Sequence, residues 1–465
     1  MTELRRSHDQ RSELRRSLGL WPAIAVVVGT VIGSGIFLVP TDMIRAVGSP
    51  GMVFVVWIFG GILSLFGALT YAELSAAMPG AGGEYVYLNA AYGPFWGFLY
   101  GWTQTWVAKS ASIATLATGF YTYLGEFFPG LNAVAYTAAI PIGPRGGAFQ
   151  IRNGQLFAMA LILFLAGINY LGVRLSGRVQ VALTGLKVAL IGGIILVGWW
   201  FGHGSISHYH AVMPADPGGV AGFFAALVAA LWAYDGWNNA GMLGSEIERP
   251  ERTLPRALIL GTGSVIVIYL LTNLVYFYVL TGAEVGASPR VAAEVLRHAV
   301  GPVGSSLVSV AAMISIFAAL NGSILSGSRV PYAMARDGYF FATIARVHPR
   351  FHTPGASILL LGAWSSLLLL SGQFRELYTL VIFPSWILYG MTAAAVIVLR
   401  RKQPAMPRPY RVLGYPVVPA LFVAVAGALL YSTLITSPRE SGIGLALIVI
   451  GLPFYYHWRK SAGQR

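Results

Sequence analysis

Twelve apolar runs constrain this chain more than any other feature. They lie near residues 20–46, 51–78, 93–125, 154–173, 178–201, 219–245, 256–281, 303–335, 355–371, 376–400, 413–435 and 442–458. Roughly 20 apolar residues cross a bilayer as a helix. Within hydrocarbon, only helices and closed barrels satisfy every backbone polar group. The expectation is an all-α membrane protein, a bundle of twelve transmembrane helices. Composition points the same way: 56% of the residues are hydrophobic and 10% charged, where a soluble domain has about a quarter charged.

The net charge of +14 invites an acidic partner, so the location of the basic residues decides what it means. With the N-terminus placed in the cytoplasm, loops on that side hold 22 of the 31 Lys and Arg, the opposite loops hold seven, and Lys109 and Lys187 lie inside runs. That is the positive-inside bias, with both termini cytoplasmic. No aromatic-flanked basic patch appears, so nucleic acid is excluded as a partner. The partner implied is the lipid bilayer.

The polar, basic leader "MTELRRSHDQRSELRRS" precedes a run too long for a signal-peptide core and lacking a small-residue cleavage site, so it is expected to stay attached. There is no cysteine, which removes disulfides and thiolate metal sites. His203, His208 and His210 in "HGSISHYH" have no second cluster and read as surface-loop residues. No metal and no cofactor is expected.

The first run carries "GTVIGSGIF", with Gly33, Ser34 and Gly35 where a membrane helix most needs an unbroken hydrogen-bond ladder. Small residues can serve close helix packing. Unwound backbone at membrane depth is tolerated only where it is buried in protein or lines a cavity. A second irregularity favours the cavity: the sixth run reads "FFAALVAALWAYDGWNNAGMLGSE", interrupted by Asp235, Gly236, Trp237, Asn238 and Asn239.

Gly236 lies 202 residues after Ser34 (236 − 34). The fifth run begins near Gly177 and the tenth near Glu376, about 199 apart (376 − 177). The spacing predicts two five-helix units, residues 20–201 and 218–400, followed by two further helices at 412–458. A basic segment, 1–19, precedes them and a cytoplasmic tail, 459–465, follows. Five is odd, so the units enter from opposite sides. Interrupted segments at corresponding positions of inverted repeats point to a transporter's substrate site.

"GTVIGSGIFLVP", "YAELSAAMPGAGGEYVYLNAAYG", "WAYDGWNN…SEIERPERTLPRA" and "LNGSILSGSR", in collinear order over about residues 18–435, resemble the amino acid, polyamine and organocation superfamily. More closely they resemble its L-type amino acid transporter branch, with its bacterial amino acid exchangers. The resemblance implies the five-plus-five inverted-repeat (LeuT-like) fold with discontinuous helices 1 and 6, and alternating access. Animal members join a glycoprotein subunit by a disulfide. Without cysteine, this chain is expected to work without a disulfide-linked heavy subunit, and a bacterial inner membrane is the expected location.

A broken helix exposes carbonyls at the end of its first half and N–H groups at the start of its second. These dipole ends match the two charges of a zwitterionic amino acid. The carboxylate is expected on the N–H groups of Ser34, Gly35 and Ile36, with the Ser34 hydroxyl. The ammonium is expected on carbonyls of Val31, Trp232 and Ala233. Thr30, Gly33, Gly236 and Asn238 complete the candidate substrate site. Trp232 falls where the family has an aromatic gate, against the alternative of a core tryptophan. Asp235 either caps the second half of the sixth helix or contacts substrate. The "WAYDGW" pattern matches the branch that accepts neutral and cationic amino acids, so both remain open.

Lys187 lies about 15 Å into the fifth helix. In family members a lysine here points at the helix 1 break, where sodium-coupled relatives of the fold bind a cation, and a gating or coupling role follows. Lys109, inside the third run, reads as structural. Glu73 and Glu246 lie near cytoplasmic helix ends, in reach of arginines. The "NGS" triplet at Asn321 falls inside the eighth run, a poor place for glycosylation. An enzyme would need convergent acids, bases or metal ligands, which these runs lack. A channel fits two offset breaks poorly. The expected function is sodium-independent transport of L-amino acids by exchange, the alternative being proton-coupled symport or carriage of polyamines and organic cations.

Overall fold

A computed structural model describes residues 14–140, 147–210, 218–370 and 374–462. Residues 1–13 of the basic leader and the last three residues lie outside them. Every one of the twelve runs is helical. α1 (Leu20–Val31) and α2 (Gly35–Val47) form the first, and α3 (Pro50–Ala77) the second. α4 (Glu84–Tyr92) connects to α5 (Pro94–Thr103), which passes through a π-helical turn at Gln104–Ala108 into α6 (Lys109–Phe127). α7 (Asn153–Tyr170), α8 (Val173–Phe201), α9 (Gly219–Tyr234) and the short α10 (Asn239–Met242) follow. Next come α11 (Pro250–Val279), α12 (Gly282–Ala287), α13 (Val291–Val300), α14 (Pro302–Gly327) and α15 (Arg329–Arg336). The last five are α16 (Gly355–Leu369), α17 (Phe374–Lys402), α18 (Val417–Thr436), α19 (Pro438–Val449) and α20 (Gly451–Ala462).

Local chemistry sets these boundaries. Proline occupies the first turn of α3, α5, α11 and α14, where its missing N–H costs nothing and its φ suits the helix. Ser49 caps α3 by accepting from the Met52 N–H, and Gly48, left-handed at φ 73°, ends α2.

Among the described residues, nine helical segments are long and apolar enough to cross a membrane, and α9 and α16 are shorter apolar helices. The third run, broken by the π turn and carrying Lys109, is outside those nine. The protein is thus a multi-spanning helical bundle with discontinuous members. Its all-α character is interrupted only, among the described residues, by a short antiparallel hairpin of β1 (Val134–Ile140) and β2 (Gly147–Arg152) between α6 and α7.

The broken first helix occupies the middle of the bundle. In its apolar window 83% of residues are buried, against 28% for α8 and for α18. α1 packs against α8, α11 and α14, while α2 packs against α9. Both broken helices are therefore enclosed by protein, the condition that interrupted backbone at this depth requires.

Candidate functional site

The first helix stops at Val31 and restarts at Gly35. The sixth stops at Tyr234 and restarts at Asn239. Gly35 explains how closely they meet: a Cβ there would lie 2.6 Å from both Cα and Cβ of Ala233, so this glycine serves close packing. Gly236, at φ 105°, takes a backbone conformation that a side chain would strain. Its carbonyl accepts from the Thr30 hydroxyl at 3.0 Å, joining the two breaks.

The second half of the first helix offers the donors that the sequence predicts. The N–H groups of Ser34, Gly35 and Ile36 carry no backbone hydrogen bond among the described residues. The Ser34 hydroxyl is buried and has no partner there either. A buried group of this kind costs about 1–3 kcal/mol left without a partner.

The carbonyl side departs from expectation. Val31 and Ala233 do not present free carbonyls: the Tyr269 hydroxyl lies between them, 3.0 Å from the Val31 oxygen and 2.8 Å from that of Ala233. The Trp232 carbonyl accepts from the Asp235 N–H at 3.1 Å. The Val31 oxygen also accepts from the Gly33 N–H at 2.8 Å; those of Trp232 and Ala233 each keep a second lone pair, and none is an orphan. In the low-dielectric interior a tyrosine satisfies what water cannot reach.

Lys187 is fully buried. Its ammonium donates to the carbonyls of Gly29 and Ser315, each at 2.8 Å, and to that of Ile32. It ties α8 and α14 to the end of α1. The Ser315 hydroxyl adds bonds to Ile32 and Gly33 oxygens at 3.0 and 3.3 Å. Carbonyls freed by the break thus end on a fixed cation and a hydroxyl.

Asp235 is not the cap of the resumed helix. The residue at that position is Asn238, and Asp235 ends α9 in an extended conformation. Its carboxylate accepts from the Tyr389 hydroxyl of α17 at 2.9 Å and faces a small central cavity. Of the residues expected at the substrate site, Thr30, Val31, Gly33, Ser34, Gly35, Trp232, Asp235 and Gly236 line this cavity. Ile36, Ala233, Asn238 and Lys187 do not. Asn238 instead donates to the buried carboxylate of Glu84, whose other oxygen accepts from Tyr100 at 2.9 Å.

Five lining residues escaped the sequence reading: Lys109, Ser112 and Leu116 on α6, Asn239, and Ser323 on α14. Lys109, read above as structural, donates to the Asn239 side chain at 2.8 Å and stands in the cavity wall. The cavity therefore carries one ammonium and one carboxylate of its own. Its free volume of about 20 Å³ holds little more than one water.

Glu246 and Glu73 do meet arginines. Arg329 reaches both Glu246 oxygens at 2.9 and 3.0 Å, with both side chains fully buried. Glu73 pairs with Arg400 and Arg408 at 2.6 and 3.4 Å. His203, His208 and His210 stand in the loop after α8, and His208 contacts the Tyr278 carbonyl at 3.0 Å. Among the described residues no group of three His, Asp or Glu could hold a metal ion.

Residues 18–452, from the foot of α1 through nearly all the helices, match the family described as amino acid permease. The chain belongs to that family. Within it, the serine/threonine exchanger SteT of Bacillus subtilis (strain 168) is 34% identical over 458 residues, covering 97% of this chain and 99% of that protein. The b(0,+)-type amino acid transporter 1 of Mus musculus is 30% identical, covering 97% and 91%. The cystine/glutamate transporter of Homo sapiens is 29% identical, covering 96% and 86%. The match to each runs over nearly all of this permease, and both breaks, the Lys187 clamp and the Tyr269 bridge lie inside the matched region.

Proposed function

We propose that this permease exchanges small L-amino acids across the membrane by alternating access, without sodium. The observation that carries this is the unpartnered Ser34 hydroxyl beside the free N–H groups of Ser34, Gly35 and Ile36. A carboxylate of the substrate completes that set. The ammonium competes with Tyr269 for the carbonyls of Val31 and Ala233. Trp232, in the cavity wall, closes over the ligand. The Lys187 ammonium already occupies carbonyls that a sodium ion would need.

Architecture supports this reading through its spacing. The breaks are offset by 202 residues, which fits two inverted five-helix units, 20–201 and 218–400, and a twelve-span count with two added helices. The bias of Lys and Arg toward one set of loops supports cytoplasmic termini, and a bacterial inner membrane is the location that fits this reading.

The small cavity and Lys109 in its wall favour neutral side chains such as serine, threonine and alanine, in keeping with the serine/threonine exchange for which the Bacillus subtilis relative is named. Asp235 in the same wall favours a second reading, in which cationic amino acids or other organic cations enter. Protein reconstituted in proteoliposomes decides. Labelled serine is expected to enter vesicles preloaded with unlabelled amino acid many times faster than empty ones, equally in sodium and choline buffers. Uptake driven only by an imposed pH or sodium gradient would overturn exchange.

A further inference from the structure

The foot of α1 and the start of α8 enclose a groove of about 570 Å³ that the transport reading leaves unused. Its wall includes Trp21, Arg174, Arg178, Val181 and Glu248. Trp21 is 74% exposed, an aromatic ring at a helix end where the interfacial belt of a membrane protein runs. Arg174 and Arg178 are one helical turn apart, so their side chains are neighbours. Both are exposed, and neither guanidinium has a hydrogen-bond or ion-pair partner among the described residues. Above them α8 turns apolar: Val181 and Leu186 are 38% and 45% exposed, and Gly185 has nothing near its face.

We propose that this groove binds an anionic phospholipid with a hydroxyl-bearing head, of the phosphatidylglycerol type. Paired guanidinium groups match the phosphodiester in charge and geometry. The apolar strip beyond them takes the acyl chains, which a soluble anion would leave uncovered. Glu248 on the rim reduces the net charge of the three groups to +1. Its carboxylate can accept from a glycerol hydroxyl, which a choline head does not have. The lipid would sit against the half-helix that must move: a Cβ on Gly177 of α8 would come 2.8 Å from a Leu18 methyl at the foot of α1. A lipid held there braces α1 against α8.

Native mass spectrometry of the purified full chain, offered equal phosphatidylglycerol and phosphatidylcholine with the same acyl chains, tests the site. Each basic residue near an anionic lipid contributes about fivefold in affinity. Arg174→Gln/Arg178→Gln should lose about 25-fold of the preference for phosphatidylglycerol. Arg346→Gln/Arg411→Gln, two exposed arginines elsewhere, should keep it, and inorganic phosphate should not displace the lipid. Equal loss in both double variants would reduce the effect to general surface charge and overturn the proposal. Unchanged preference in the first variant, or displacement by phosphate, would overturn it too. If the first variant does not fold, brominated phosphatidylglycerol must quench wild-type fluorescence more than that of Trp21→Phe, with brominated phosphatidylcholine making no such distinction. Failure of that difference counts against the site and leaves the exchange reading untouched.

Discussion

Lys187 and Tyr389 stand 202 residues apart (389 − 187), and each fastens one of the two broken helices. Lys187 of α8 donates to the Gly29 and Ile32 carbonyls at the first break. Tyr389 of α17 donates to Asp235 at the second. The same offset separates Ser34 from Gly236, so the inverted-repeat reading accounts for breaks and fasteners together.

Replacing Lys187 with alanine strands buried carbonyls, at about 1–3 kcal/mol each. The Lys187→Ala protein is expected to melt at clearly lower temperature and to exchange amino acids at least about tenfold more slowly. Tyr389→Phe loses one hydrogen bond to a carboxylate, about 1.5–3 kcal/mol, and is expected to lose less stability than Lys187→Ala. Melting curves alongside counterflow uptake check this. Wild-type exchange by Lys187→Ala would remove the clamp from the mechanism.

Tyr269 supports a sharper test, because its hydroxyl occupies the two carbonyls assigned to the substrate ammonium. Tyr269→Phe removes the single hydroxyl proton that the two carbonyls share, about 1 kcal/mol of hydrogen bonding, so the unliganded protein should melt slightly lower. The substrate ammonium then no longer competes with a hydroxyl, although the Val31 oxygen still accepts from the Gly33 N–H. The rise in melting temperature on adding saturating substrate should be larger than in wild type. A smaller rise would show that the hydroxyl itself helps to hold the ligand.

Both breaks were legible in the sequence because glycine, serine, aspartate and asparagine are out of place in apolar runs, and Lys187 because no buried lysine goes unanswered. Asp235 was open to reading as a cap, since a short polar side chain before a helix is the usual signal, but the helix restarts four residues later, at Asn239, after Asn238. The far wall of the cavity left no trace. Ser112, Leu116 and Ser323 are ordinary residues in helical runs, and only packing turns them inward. Tyr269 and Tyr389 read as apolar bulk until their hydroxyls find partners. Residues 134–152 lack the strict alternation that marks a strand, so their hairpin was invisible.

Gly35 separates packing from conformational freedom. Its φ is ordinary helix, so Gly35→Ala carries no backbone strain and acts only through the 2.6 Å approach to Ala233. Overpacking of this kind costs about 1–3 kcal/mol, and uptake should be nearly abolished because the two breaks are forced apart. Adding Ala233→Gly removes the Cβ but leaves the Ala233 Cα, also at 2.6 Å. The double variant is expected to recover only a small part of the activity. Full recovery would mean that the backbones can separate freely, contrary to the tight junction seen here.

Lys109 and Asp235 face one cavity and carry opposite charges, so each sets how the other is read by a substrate side chain. Lys109→Met leaves the carboxylate unbalanced. Arginine and lysine should then compete more strongly for uptake, by roughly five- to tenfold if the exposed attraction amounts to about 1 kcal/mol or slightly more. Asp235→Asn keeps an acceptor for Tyr389 while removing the charge, and should shift competition toward acidic amino acids by a similar factor. The double variant tests coupling: if the two charges act on the same ligand group, its selectivity should return toward that of wild type. Competition curves with serine as the labelled substrate measure all three. Uniform loss of affinity for every competitor in both single variants would assign these charges to holding α6 and the sixth helix together, and would leave selectivity to the shape of the cavity.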